Sequence, residues 1–300
     1  MGNAADFLGL EHGTSAAATS GHITFWVRER LEHKLRHMVD TAKATNAFPS
    51  GVASKMYGTS VFWESGTFGK IGRAGLNAIK DRQQDHQTVI TDELLKCFEV
   101  ITVINAVRPR RVVCIRTVPV DRFCAASDAA YEQDRGSGGF LIIKHPTLPT
   151  EQRFGCTVRI PDQAYAQWGQ LETYIAQLEM LMVLAALLEY GTQLRHARGV
   201  FFIDNTAALM ALVRGRSNQA ALDHMALLIH LALFVLQSWV YFEWVESKAN
   251  CADGIRRLGM HDPWYHKHHF AVTEMVFPHP LLGLPIQPAL LVFEYLFGPA

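Results

Sequence analysis

The hydrophobic pattern of this chain changes period near Arg108-Pro109-Arg110-Arg111, and that change limits the folds open to it. Proline cannot continue a helix and disfavours helical geometry in the residue before it, so a helix over 91–107 must end here. Upstream, the pattern reads mostly as helices. Residues 28–44 read as a charged helix, Pro49 and Ser50 can open a helix, and Thr91 is an N-cap with Asp92 and Glu93 in the first turn. Gly66, Gly69, Gly72 and Gly75 interrupt the stretch between. Only residues 7–27, FLGLEH and HITFWV around a small polar stretch, read as a hairpin. Downstream, RFCAASDAAY, GGFLIIKH and RFGCTVRI predict three strands, joined by turns that contain Gly136, Gly138, Pro146 and Pro149. A helix over 174–194, the strand GVFFID, helices over 206–213 and 219–238, the strand VYFEWVES and a final helix from Asp253 follow. This order is that of an α/β domain with a mixed five-stranded sheet flanked by helices. The expected division is a helix-rich domain at 1–110, an α/β domain at 111–260, and a tail at 261–300, rich in Pro, His and aromatics, to which no role is assigned.

With 300 residues, 49% of them hydrophobic, the chain can bury a sizeable core and has room for two domains. Twenty-eight basic residues balance 28 acidic ones, so any surface for a polyanion must be local. The five cysteines are scattered and lack the spacing of a zinc site, which suits free thiols in a reducing compartment; the expected location is intracellular, cytoplasmic or nuclear. MGNAADFLGLEHG does not read as a secretory signal, and Asp6 stands where a myristoylation signal after Gly2 needs Ser or Thr. The longest apolar runs, 180–188 and 226–235, are shorter than the roughly 20 residues of a membrane span, so no membrane partner is expected.

Four acids stand out against this pattern. Asp128 is expected where the first strand meets a turn, Glu179 lies in an otherwise apolar helix, Asp204 ends GVFFI, and Asp253 opens the last helix. Taken singly, Asp128 reads as a turn former and Asp204 and Asp253 as helix caps. A carboxylate buried among Leu178, Met180 and Leu181 needs a partner or a metal, whereas Glu172 is better placed as a first-turn acid. Together, carboxylates converging from different elements offer hard oxygen ligands to Mg²⁺, and without a cation they would raise one another's pKa values.

SDAAYEQ with GGFLI, LEMLMVLAALLEYG, FIDNTAALMALVRGRSNQ and EWVESKANCADGIRRL, in that order, resemble the ribonuclease H domain of a retrotransposon polyprotein over residues 122–258. The resemblance implies a ribonuclease H-like fold in which Asp128, Glu179, Asp204 and Asp253 hold two Mg²⁺ ions, with Mn²⁺ able to substitute. It also implies hydrolysis of the RNA strand of an RNA/DNA hybrid by a two-metal mechanism. Asn205 is a candidate for contact with the hybrid or, equally, a cap. Arg214 and Arg216 are candidates for its backbone.

At lower specificity, FLGLEH with HITFWV is similar to the hairpin that ends a reverse-transcriptase palm, and residues 53–79 to its thumb and connection. The polymerase's YxDD motif is absent, so no polymerase activity is expected. In the same stretch Lys55, Lys70, Arg73 and Lys80 alternate with Phe62, Trp63 and Phe68, a pattern that suits either a surface tracking the hybrid or a solvated face beside a small core. ESKANCAD lacks the His that many cellular ribonucleases H carry before the last acid, and His261 is expected on the surface. Arg256 stands where the retroelement enzymes have Ser. The alternative to an enzyme is a catalytically silent nucleic-acid-binding module of the same fold.

Overall fold

The computed structural model describes residues 4–7, 10–115, 120–133, 135–147 and 150–299, and divides into two compact units, Met1–Val118 and Pro119–Ala300. Residues 8 and 9 of FLGLEH, and Pro149 of the expected turn, lie outside the described residues.

In the first unit, strands β1 (Ala4–Phe7), β2 (Leu10–Gly13) and β3 (His22–Val27) form an antiparallel sheet in the order β1-β2-β3-β4, where β4 is Arg111–Cys114. The helices are α1 (Glu29–Thr45), α2 (Ser50–Ser65), α3 (Asn77–Arg82) and α4 (Asp92–Val107). Thr91 caps α4 as expected, accepting a hydrogen bond from the Leu94 N–H at 3.4 Å. Residues 111–114 were expected to begin the α/β domain. They instead pair with β3, which brings the boundary to 118/119, because β3 has a free edge whose backbone groups need partners. The core gathers Leu35, Phe48, Met56, Trp63, Phe98 and Ile101, with Phe48 edge-on to Phe98.

The second unit holds β5 (Arg122–Glu132), β6 (Arg135–His145), β7 (Gln152–Arg159), α5 (Gln163–Ala166), α6 (Ile175–Leu194), β8 (Arg198–Ile203), α7 (Thr206–Arg214), α8 (Ala220–Leu236), β9 (Trp239–Trp244), α9 (Asp253–Leu258), α10 (Pro263–Lys267), β10 (Ala271–Val276) and α11 (Ile286–Phe297). Its mixed sheet runs β10-β7-β6-β5-β8-β9, antiparallel within β5, β6 and β7 and parallel for β5/β8, β8/β9 and β7/β10. Among the described residues the sheet has six strands rather than the expected five. The extra one comes from the tail: Ala271–Val276 pairs in register with 154–159 and covers the edge that β7 would otherwise expose.

Gly136 and Gly138 were expected in a turn but lie within β6. The reason is close packing. A Cβ on Gly138 would sit 2.2 Å from the sulfur of Met182 on α6, and one on Gly139 would sit 2.8 Å from Ile255 of α9 and 3.0 Å from the Cys156 carbonyl oxygen. Successive strand residues face opposite sides, so α6 and α9 cover the two faces of the sheet at the same place. Helix α6 is long and apolar enough to cross a membrane, but 72% of its apolar window is buried inside the unit against β5, β6 and α8.

Candidate metal centre

Each acid reaches the centre by a different route. Asp128 is not at a strand end but in the middle of β5, opposite Gly139, and is 6% exposed. Glu179 lies one turn into α6 and is 1% exposed. The N–H of Ala129 donates to its Oε1 at 3.0 Å, which ties the helix to the strand beside Asp128. Asp204 follows the last residue of β8. Asn205, rather than Asp204, is the N-cap of α7: its Oδ1 accepts from the Ala208 N–H at 3.0 Å. The cap role weighed for Asp204 thus falls to its neighbour.

Asp128, Glu179 and Asp204 each present a carboxylate oxygen within 4.8 Å of the others. Oxygens at that spacing can share one cation whose ligand distances are near 2.1 to 2.4 Å. The second oxygen of Glu179 is buried, and among the described residues no donor group reaches it; its neighbour is the Asp204 carboxylate. A buried acceptor left unpaired is costly, and a cation is the natural partner for one surrounded by other carboxylates. The electrostatics agree. Burial, and then the charges of Asp204 and Asp128, hold the Glu179 carboxyl well above the ordinary glutamate range. Burial likewise pushes Asp128 up to about 6, against the opposing pull of Arg256 and with the charges of Asp204 and Asp253 adding to it.

Asp253 stands outside this group. It opens α9, and guanidinium groups occupy both its oxygens: Nε of Arg257 at 2.7 and 2.8 Å, and Nη2 of Arg256 at 2.8 Å. Burial works against its charge, but these bonds prevail and hold the carboxyl below the usual aspartate range. Arg256 also donates through Nε to Oδ2 of Asp128, and so bridges the fourth acid to the first.

The expected substrate contacts fare differently. The Asn205 side chain is committed to its cap. Arg214 is exposed at the far end of α7, nine residues and roughly 13 Å of helix from Asn205, and Arg216 follows the left-handed Gly215 that ends α7. The centre does not gather them. In the first unit, Trp63 and Phe68 are core residues, with the Trp63 indole N–H donating to Asn105 at 2.7 Å. Phe62 is partly exposed at 39% and Arg73 pairs with Glu64 at 2.7 Å, so the interleaved pattern reads as a core with a charged rim. Glu172, weighed as a first-turn acid, lies three residues before α6 begins and is exposed, and His261 is exposed as expected.

Two supports of the centre carry little signal in the sequence. Asn250 is buried and donates from Nδ2 to the Ser127 carbonyl at 2.7 Å, which fixes the approach to α9 beside β5. Tyr265, in the tail, accepts from the Ile255 N–H and donates to the Cys251 carbonyl, both at 2.7 Å, and so braces the start of α9. No protein-family model matches the chain, and no curated protein matches it in sequence.

Proposed function

We propose that the second unit is a Mg²⁺-dependent ribonuclease of the ribonuclease H type, which cuts the RNA strand of RNA/DNA hybrids, in a retrotransposon-derived chain without a polymerase catalytic motif. The convergence of Asp128, Glu179 and Asp204 from β5, α6 and the end of β8 carries this reading. The antiparallel β5-β6-β7 run, continued by parallel β8 and β9 and covered by helices on both faces, supports the finer assignment of a ribonuclease H-like fold.

Bound there, Mg²⁺ would act as a Lewis acid that activates a water and offsets charge on the leaving oxygen. The protein supplies the position. Asp128 is held by the β5–β6 ladder, Glu179 by the Ala129 N–H, and Asp204 by the start of a helix capped through Asn205. Preference for a hybrid would come from its shape and its 2′-hydroxyls. Arg214 and Arg216 are the proposed contacts to the backbone, and would make binding salt-dependent.

Incubation of the protein with a labelled RNA/DNA hybrid and Mg²⁺ should yield cleavage inside the RNA strand, and Asp204→Asn should abolish it. Absence of cleavage in the wild type would overturn the reading. One observation favours the silent alternative: Arg256 engages both Asp128 and Asp253, two of the four expected ligands. Hybrid binding without cleavage would support that alternative.

A further inference from the structure

We infer that this centre holds one divalent ion and that the Arg256 guanidinium takes the position of a second. The inference rests on the reading of the carboxylates as a metal site and concerns how that site is filled. Four carboxylates bring the expected ligands, but only Asp128, Glu179 and Asp204 converge closely enough to share a cation. A second ion would need to join Asp128 to Asp253. A cation already does so: Arg256 bonds Oδ2 of Asp128 through Nε and Oδ1 of Asp253 through Nη2, and lies 3.7 Å from Glu132 through Nη1.

The bridge is a firm one. The Arg256 side chain is only 10% exposed, and its two acidic partners converge from β5 and α9, so the guanidinium is held in one place. The planar guanidinium holds its donors in fixed directions, so it can make a charge-assisted bond to each of two carboxylates at once. Arg257 bonds both Asp253 oxygens as well, but from an exposed side chain that a metal can displace, so the largely buried Arg256 is the group that decides the count. The buried, unpartnered oxygen belongs to Glu179, on the three-carboxylate side and not beside Arg256.

The position of α9 makes this possible. Gly139 lets Ile255 approach β6 directly, and the Tyr265 and Asn250 bonds brace the start of the helix, so its next residue, Arg256, meets Asp128. A serine in place of Arg256 would neither reach Asp128 nor carry charge.

Mn²⁺ titration of the full chain, followed by electron paramagnetic resonance, tests the inference without an activity assay. Free Mn²⁺ is counted from its six-line signal, and an ion pair on one protein shows spin coupling at low temperature. The expected result is one uncoupled Mn²⁺ per chain in the wild type and two coupled ions in Arg256→Ala, with Arg257→Ala still at one. Arg256→Met, which keeps the side-chain bulk, should behave like the alanine variant, and circular dichroism confirms that each is folded. Two ions in the wild type would overturn the inference while leaving the metal site standing, and so would a single ion in folded Arg256→Ala and Arg256→Met. No Mn²⁺ bound to the wild type would overturn the inference together with the reading beneath it.

Discussion

Glu179 is the residue on which the centre most depends, and its cost is visible in the structure. It is buried beside two other carboxylates, with one oxygen bonded to the Ala129 N–H and the other unpartnered among the described residues. In the presence of a chelator, Glu179→Gln should therefore raise stability by about 1 kcal/mol or more, since the amide keeps the Ala129 bond and removes a buried like charge. The same variant should lose the stabilisation that Mg²⁺ gives the wild type. Thermal denaturation with and without Mg²⁺ measures both effects, and a variant as responsive to Mg²⁺ as the wild type would contradict them. Glu64 of the first unit allows a test by pH. Burial raises its pKa above 4.5 despite the pull of Arg73. A carboxyl whose pKa is raised on folding contributes stability below its unfolded value and loses it as pH rises through its folded value. Glu64→Gln should therefore gain on the wild type as pH increases from about 4.5 upward, in denaturant titrations at several pH values; a constant difference would refute this. The acidic residues themselves were legible in the sequence, because a carboxylate inside an apolar helix is conspicuous. Their partners were not: Arg256 was visible as an odd residue, but that it bridges Asp128 and Asp253 depends on a contact across 128 positions.

At the level of elements, the sequence pattern and the structure agree closely where periodicity is strong. The expected strand over 122–131 is β5, Arg122–Glu132; the expected helix over 174–194 is α6, Ile175–Leu194; and Thr91 does cap its helix. Disagreement concentrates where glycine has two meanings. Gly136 and Gly138 suggested a turn, yet β6 needs them for close approach to α6, and Gly139 for α9. Gly139→Ala is the informative change. Its Cβ would press on Ile255 and on the Cys156 carbonyl, which cannot move freely because it belongs to the neighbouring strand. A loss of about 1–3 kcal/mol is expected, as for an overpacked core, and should be measurable by chemical denaturation. Because α9 carries Arg256, the same variant should also loosen the bridge to Asp128. A neutral effect would mean that α9 sits less tightly on the sheet than the contacts indicate.

For the whole molecule, the ligand set belongs to the second unit alone, so metal should act there. Hydrogen exchange should show Mg²⁺-dependent protection in β5, the first turns of α6 and the end of β8, with no change in residues 10–115; a ligand of the folded state stabilises by about 2.7 kcal/mol at a hundred times its dissociation constant. Protection spread over the first unit instead would count against the centre. The amino-acid order by itself determined the alternation of strands and helices after Pro109, the helical character of most of what precedes it, and the four acids that stand out against the apolar pattern. These follow from period, capping and the cost of burying charge, all of which act over a few residues. Only the tertiary structure decided that residues 111–114 join the first sheet, that the tail supplies a sixth strand and braces α9, and that three acids converge while Arg256 and Arg257 hold the fourth. Edge pairing, close approach at glycine and ion pairing across the fold depend on which surfaces meet, and local sequence does not carry that information.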